Sequence, residues 1–259
     1  DIHMLEDNSG FILRSYKNDW YNLYKIGFDG KLNTSITNVK WRINSIDKVD
    51  EKKNVIYFSG TGTVNTDVHF FSVNMDGSNL KQLTKGTGSH YAALSPNGSY
   101  FVDRYSNVST APSRILYNNK GKKIRSISKS ETPELDPKKH HPIKLFRVKS
   151  TDGKFDLPVA MTLPNNFNEN TTYPVVFSIY GGPDAGGIRD AWRGWNGNSL
   201  TRMGVIVISV AHRGSGKFGK AGLDYMHRNL GKWEMEDYFA VVNWLKKQSF
   251  VDPNRIGIT

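Results

Sequence analysis

From Tyr24 the chain reads YKIGFDGKLNTSIT, and from Phe71 it reads FSVNMDGSNLKQLT. Each is an alternating apolar and polar run, an Asp-Gly pair, and a second short run closing on Thr37 or Thr84. A period of two predicts strands, and Asp-Gly predicts a tight hairpin between them. Asp29 and Asp76 stand 47 residues apart, and a degenerate third copy, ILYNNKGKKIRSIS from Ile115, puts Gly121 44 residues after Gly77. Further short strands are predicted at NVIYFSG from Asn54 and at HYAALSPNGSYFVDRYS from His90. About four strands per 40 to 50 residues, with no helical period, predict β-propeller blades; the even strand spacing of a sandwich is the alternative. About two and a half blades are legible, where a closed propeller needs roughly 4 to 8.

The pattern changes after SETPELDPKKHHPIK, which starts at Ser130 and reads as a linker and domain boundary. LFRVKSTDGKFDLPVAMTLP predicts a hairpin with Asp152-Gly153 at its tip. YPVVFSIYGGP and GVIVISVAHRGSG are continuous apolar runs entering Gly-rich loops, as buried parallel strands do. WEMEDYFAVVNWLKKQ from Trp233 predicts a helix, with Phe239, Val242 and Leu245 at three-residue steps, Tyr238 and Val241 beside them, and Lys246 and Lys247 in its last turn. The sequence closes on VDPNRIGIT, in which Asp252-Pro253 makes a turn and Ile256–Thr259 a buried strand. Strands alternating with a helix predict an α/β domain with a parallel sheet.

Composition narrows the function classes. With 37% hydrophobic and 23% charged residues the 259-residue chain is globular, and no run approaches the length of a membrane span. Residues 1–20 hold no signal-peptide pattern. Cysteine is absent, which excludes disulfides, thiol catalysis and thiolate metal sites. The net charge of +11 is scattered rather than gathered in a stripe, so no nucleic-acid partner is expected. None of the seven histidines has an i, i+4 partner of metal-site type, and His140-His141 reads as a solvated pair. Abundant Asn, Lys, Ile and Tyr without cysteine points to a periplasmic or secreted bacterial protein, despite sequons at Asn33, Asn97, Asn107 and Asn170.

In an open α/β sheet, chemistry collects at the carboxyl ends of the strands. Two such ends are SIYGGPDAGG from Ser178 and VAHRGSGKFG from Val210. Tyr180, expected as the last strand residue, would present a phenol that can donate to a developing oxyanion; the alternative is a tyrosine packed on the core. RGSG at 213–216 lacks the spacing of a Walker motif, and Ser215 reads as structural. No Gly-x-Ser-x-Gly occurs in the 259 residues. Glu234, Glu236 and Asp237 fall in the first turns of the helix, where a favourable helix-dipole placement accounts for them.

YPVVFSIYGGP, HRGSGKFG and RNLGKWEMEDYFAVVNWL, in that order and followed by VDPNRIGIT, resemble the dipeptidyl peptidase IV branch of the prolyl oligopeptidase family of serine peptidases. The resemblance implies a partial β-propeller, the C-terminal blades of an eight-bladed one, over residues 1–135. An incomplete α/β-hydrolase domain over 136–259 would follow. It further implies that RIGIT leads into the nucleophile elbow, so that the catalytic Ser, Asp and His lie beyond Thr259 and the chain alone is inactive. The glutamate pair that binds a substrate's amino group would precede residue 1. Tyr180 matches the family's oxyanion-hole donor; Ala211-His212 departs from relatives, which often carry an acidic or amide residue there. The implied activity is release of short units from peptide N-termini with proline preferred, without metal or organic cofactor; the alternative is a non-catalytic propeller/pseudo-hydrolase binding protein. Peptides are the expected partners, and unpaired strand edges predict a homo-oligomer or a self-associating chain.

Overall fold

Alternating side chains, which send every second residue to the opposite face of a strand, build three four-stranded sheets in succession. The first holds β1 (Ile2–Met4), β2 (Gly10–Asn18), β3 (Trp20–Gly27) and β4 (Leu32–Ser35). The second holds β5 (Ile43–Asp50), β6 (Val55–Gly60), β7 (His69–Asn74) and β8 (Lys81–Gln82). The third holds β9 (Ser89–Leu94), β10 (Tyr100–Asn107), β11 (Thr110–Asn118) and β12 (Lys123–Lys129). Strand order in each sheet follows chain order, the meander of a propeller blade. The computed structural model describes residues 1–130, 142–185, 187–193 and 199–259, so His140 and His141 lie outside the described residues. Two units emerge: Asp1–Tyr105 with Pro112–Lys129, and Ser106–Ala111 with Ser130–Thr259.

The expectation of two and a half blades falls short of these three sheets. β1 is three residues long, too short for a period to register, and pairs antiparallel with β2 through Ile2, His3 and Met4. The repeat itself has a local cause. Gly30, Gly77 and Gly121 sit at φ 77°, 88° and 80°, the left-handed conformation that glycine adopts without penalty. The Asp29 and Asp76 carboxylates accept from the N–H groups of Lys31 and Ser78; in the degenerate copy Asn118 accepts from Lys120 and Lys122. The closing threonines are equivalent too: the Leu23 N–H donates to Thr37 Oγ1 at 2.9 Å, and the Phe70 N–H to Thr84 Oγ1 at 3.1 Å.

Alternation also decides how the sheets pack. Ile56, Phe58, Phe71 and Val73 of the second sheet join Ile12 and Leu23 of the first in one core. Tyr57 and Phe70, one position out of phase, join Phe101 of the third in another. The middle sheet is thus buried on both faces, which explains its dense aromatic content.

The second unit is a five-stranded sheet of β13 (Ile143–Lys149), β14 (Asp156–Thr162), β15 (Tyr173–Phe177), β16 (Ile206–Val210) and β17 (Val251–Ile258), in the order β13-β14-β16-β15-β17. The sheet is mixed rather than wholly parallel: β15, β16 and β17 run parallel, and the β13–β14 hairpin adds antiparallel to β16. The hairpin tip is as predicted, with Gly153 at φ 71°. Short helices α1 (Ser199–Arg202) and α2 (Gly219–Leu223) precede α3 (Trp233–Leu245).

Two expectations are corrected here. On α3 Tyr238, Val241 and Leu245 face the sheet as expected, with Val242 partly buried beside them, but Phe239 is 53% exposed, because Glu234 and Asp237 share the buried face and mask its periodicity. Lys246 caps the helix rather than lying in its last turn. The closing strand forms and pairs with β15, but it is not buried: Ile258 is 57% exposed, since β17 ends the sheet order and β15 is its sole strand neighbour among the described residues.

Candidate functional site

The three parallel strands deliver their carboxyl ends to one place. The Ser178 N–H donates to the Ile208 carbonyl at 2.8 Å, Thr259 N–H to Phe177 at 2.9 Å and Ile179 N–H to Thr259 at 3.3 Å. Between the loops that leave β15 and β16 lies a cavity of about 240 Å³, lined by Tyr180, Ser178, Arg193, Ala211, His212 and Ser215 among others. A cleft at the ends of parallel strands is where an α/β sheet binds its ligands.

Tyr180 sits three residues past β15, in the loop rather than at the strand end, and is 83% exposed. The alternative of a tyrosine packed into the core is therefore excluded. Its ring lies against the next turn: a Cβ added to Gly182 would fall 2.5 Å from Tyr180 Cε1. Gly181, at φ 78°, makes the reversal that folds the ring back over the backbone. The hydroxyl makes no hydrogen bond among the described residues, which leaves it free to donate.

The second loop is held far more tightly than its sequence suggests. RGSG forms a 3-10 turn over Arg213–Ser215, ended by Gly216 at φ 83°. Arg213 is fully buried. Its Nε and Nη2 donate to Asp237 of α3 at 3.1 and 2.6 Å, its backbone N–H to the same carboxylate at 2.7 Å, and Nη1 to Asp152 at 2.9 Å. Three aromatic rings surround the guanidinium, Trp233 at 4.7 Å, Tyr225 at 4.9 Å and Phe155 at 5.0 Å. Burial works against the cation, but the two carboxylates outweigh it and hold the Arg213 pKa above its ordinary value. Asp152 is likewise opposed by burial, yet donors from Ser150 and Arg213 keep its carboxyl below the usual range.

This grip corrects the account of the acidic cluster on α3. Asp237 is fully buried as the partner of Arg213, and Glu234 is buried and accepts from the Gly231 N–H; Glu236 alone remains exposed, as a dipole-favoured surface residue would. Ser215 is 2% exposed, in agreement with a structural reading, although its Oγ has no partner among the described residues.

His212, which precedes the clamp, is 3% exposed and lines the cavity. Burial pushes its pKa down; Asp237, Glu234 and a hydrogen bond to the Gly182 backbone act in the opposite direction without cancelling it. Beside it the Tyr238 phenol is pushed up to about 12 by burial, reinforced by Glu234 and Asp237. The arrangement therefore offers a neutral imidazole, an exposed phenol and an open cavity, whose lining includes Arg193 and, among the described residues, no carboxylate to repel an oxyanion. Sequence reasoning missed His212, for which the departure at Ala211-His212 was the available signal, and missed the Arg213 clamp.

Comparison with known proteins bears on both units. Residues 1–112 match the family model described as the dipeptidyl peptidase IV N-terminal region, and residues 191–259 match that of the prolyl oligopeptidase family. Dipeptidyl peptidase 4 of Trichophyton equinum is 29% identical over 249 residues, covering 92% of this chain and 32% of its own. The Trichophyton rubrum protein of the same name gives the same figures, 29% identity with 92% and 32% covered. The chain thus spans about a third of the length of the curated relatives it matches. The crystal structure of Porphyromonas gingivalis dipeptidyl peptidase 4 superposes over 99% of this chain and 36% of its own, with a TM-score of 0.86 at 22% identity, which shows a shared fold. A second solved structure, from Bacteroides ovatus, gives a TM-score of 0.84 at 24% identity over 99% of this chain and 40% of its own. No helix among the described residues is long and apolar enough to cross a membrane.

Proposed function

Because the chain belongs to the dipeptidyl peptidase IV branch of the prolyl oligopeptidase family, we propose that these residues form the oxyanion side of a serine exopeptidase. That enzyme releases dipeptides or similar short units from peptide N-termini, with proline favoured at the cut. Residues 1–135 supply blades of a propeller, and residues 136–259 supply the first part of an α/β-hydrolase domain. The observation that carries this reading is Tyr180, a phenol 83% exposed at a cavity between the loops that leave the carboxyl ends of the parallel strands β15 and β16.

The chemistry is acyl transfer. A serine attacks the scissile carbonyl, its proton passing to a histidine; the carbonyl oxygen becomes an oxyanion; collapse expels the amine and leaves an acyl-enzyme that water hydrolyses. Within this scheme the Tyr180 O–H donates to the oxyanion, where a preorganised donor contributes most because the hydrogen bond strengthens as charge develops. The serine is assigned to no position in these 259 residues, since no Gly-x-Ser-x-Gly occurs in them. The triad aspartate and histidine are likewise assigned to no residue here, so these residues alone do not turn over substrate. Lack of cysteine and the Asn- and Lys-rich composition fit a periplasmic or secreted bacterial location.

Two measurements on the full-length protein test the proposal: covalent labelling by a fluorophosphonate, and turnover of a Gly-Pro reporter. Labelling together with turnover supports a serine exopeptidase. A folded full-length protein that neither labels nor turns over substrate overturns it in favour of a non-catalytic binding protein.

A further inference from the structure

We infer that Arg193 is a substrate-binding donor of the Tyr180 cavity, and that Ser106 and Asp190 are the positioning residues that hold it there. This rests on the reading of that cavity as the peptide site of a serine peptidase.

Arg193 lines the cavity together with Tyr180 and is its only charged side chain among the described residues. Its guanidinium makes no hydrogen bond or ion pair among them. Five N–H donors in a planar fork, with no carboxylate of the cavity wall to occupy them, suit the oxygens of a bound peptide. Those oxygens are either main-chain carbonyls or the carboxylate of an acidic residue beside the cut.

An exposed arginine on a free loop would bind weakly, because ordering it costs the freedom of a long side chain and of the backbone beneath it. The loop that carries Arg193 is instead pinned along its length. The Asp184 N–H donates to the Gly214 carbonyl at 2.9 Å. Ile188 is 2% exposed and packs in one small core with Ala160 and Ala211. Beyond it the Val108 N–H donates to Asp190 Oδ1 at 2.8 Å, and the Trp192 N–H donates to Ser106 Oγ at 3.2 Å, one residue before Arg193.

The last two ties come from the tip of the β10–β11 hairpin, and they account for a division of the chain that strand order alone does not explain. Ser106–Ala111 belongs to the second unit, while the rest of both strands belongs to the first. The tip is ordered before it meets the loop: Asn107 Oδ1 accepts from the Ser109 N–H at 3.0 Å and from its hydroxyl at 3.1 Å, and Ser106 is 8% exposed. At a solvated turn the Val108 N–H would bond water, whereas a carboxylate partner makes a charge-assisted bond, roughly twice as strong as a neutral one. The backbone from which Arg193 springs is thus fixed from outside its own loop.

The test uses the full-length enzyme, with kcat and KM measured on Gly-Pro and Glu-Pro reporters and on the tripeptide Gly-Pro-Glu. Arg193→Met is expected to raise KM by about 10- to 100-fold, the scale of a lost hydrogen bond to a charged group, with kcat within about threefold. An equal rise on all substrates identifies a main-chain carbonyl as the acceptor; a larger rise on an acidic substrate identifies a carboxylate. Asp190→Ala is expected to raise KM by at least about threefold, and Asp190→Asn, which keeps an acceptor for Val108, to recover most of that loss. In the Arg193→Met background Asp190→Ala is expected to add less than about twofold, because its effect passes through the guanidinium. Ser106→Ala, which removes one oxygen, carries the same test should Asp190→Ala fail to fold. Wild-type KM in Arg193→Met overturns the inference. Full multiplication of the two defects, or no recovery in Asp190→Asn, overturns the positioning roles. A folded wild-type enzyme that neither labels with a fluorophosphonate nor turns over substrate overturns instead the reading of the cavity on which the inference rests.

Discussion

Asp237 accepts from three nitrogens of Arg213, the backbone N–H at 2.7 Å, Nε at 3.1 Å and Nη2 at 2.6 Å, with both side chains wholly out of solvent. A buried charge pair of this kind is costly to break and less costly to replace. Arg213→Met or Asp237→Asn alone strands a charge and is expected to lower unfolding stability by about 3–5 kcal/mol. The double variant Arg213→Met/Asp237→Leu is expected to lose less than either single change. Urea titration of the three variants checks this, and additive losses would contradict it.

Gly182→Ala separates position from stability. The added Cβ would fall 2.5 Å from Tyr180 Cε1, so the exposed ring must swing away while the backbone has no need to move. The expected outcome is a Tm close to wild type with kcat down by about 10²-fold, the scale of a misplaced catalytic group. Unchanged kcat would show that the ring's seat on Gly182 does not matter.

Two acid transitions should be separable. His212 has its pKa depressed below 6.5, chiefly by burial, so the folded state refuses a proton that the unfolded chain accepts. Stability is therefore full above about pH 6.5 and falls as pH drops from there through the folded value. Asp152 is held below 3.8, burial being outweighed by Ser150 and Arg213, so its contribution is present above that pH and lost on further acidification. In Tm-against-pH curves His212→Gln is expected to flatten the upper step alone and Asp152→Asn the lower step alone. An unaltered upper step in His212→Gln would count against the buried neutral imidazole.

The free edge of β17 gives a prediction for these 259 residues expressed alone. Ile258 is 57% exposed on a strand with one neighbour, an arrangement that invites pairing with another copy. Size-exclusion with light scattering is expected to show concentration-dependent oligomers; a monomer throughout would contradict this.

What was legible in the sequence was local. Asp-Gly turns at a near-constant period gave the blades because turn chemistry needs only neighbouring residues, and even the degenerate copy kept a side chain, Asn118, to accept from the turn. The α/β unit and its hairpin could be read for the same reason. The Arg213–Asp237 pair was not legible, since a 24-residue separation carries no pattern and the helix dipole already offered a sufficient explanation for an acidic first turn. On α3 the reading failed at one position: Glu234 and Asp237 are turned inward beside Tyr238 and Val241 and interrupt the apolar stripe, so Phe239, 53% exposed, was counted with the core face. The resemblance picked out Tyr180 as a donor, but not its exposure or its seat on Gly182, which depend on a reversal three residues past the strand.

The most direct test of the central claim is the Tyr180→Phe exchange in the full-length enzyme, read as kcat on a Gly-Pro reporter alongside Tm. Loss of a single hydroxyl from an exposed ring is expected to lower kcat by about 10²–10³-fold while Tm stays at the wild-type value. Wild-type turnover without that hydroxyl would mean that the phenol stabilises no oxyanion, and that this cavity is not where the chemistry occurs.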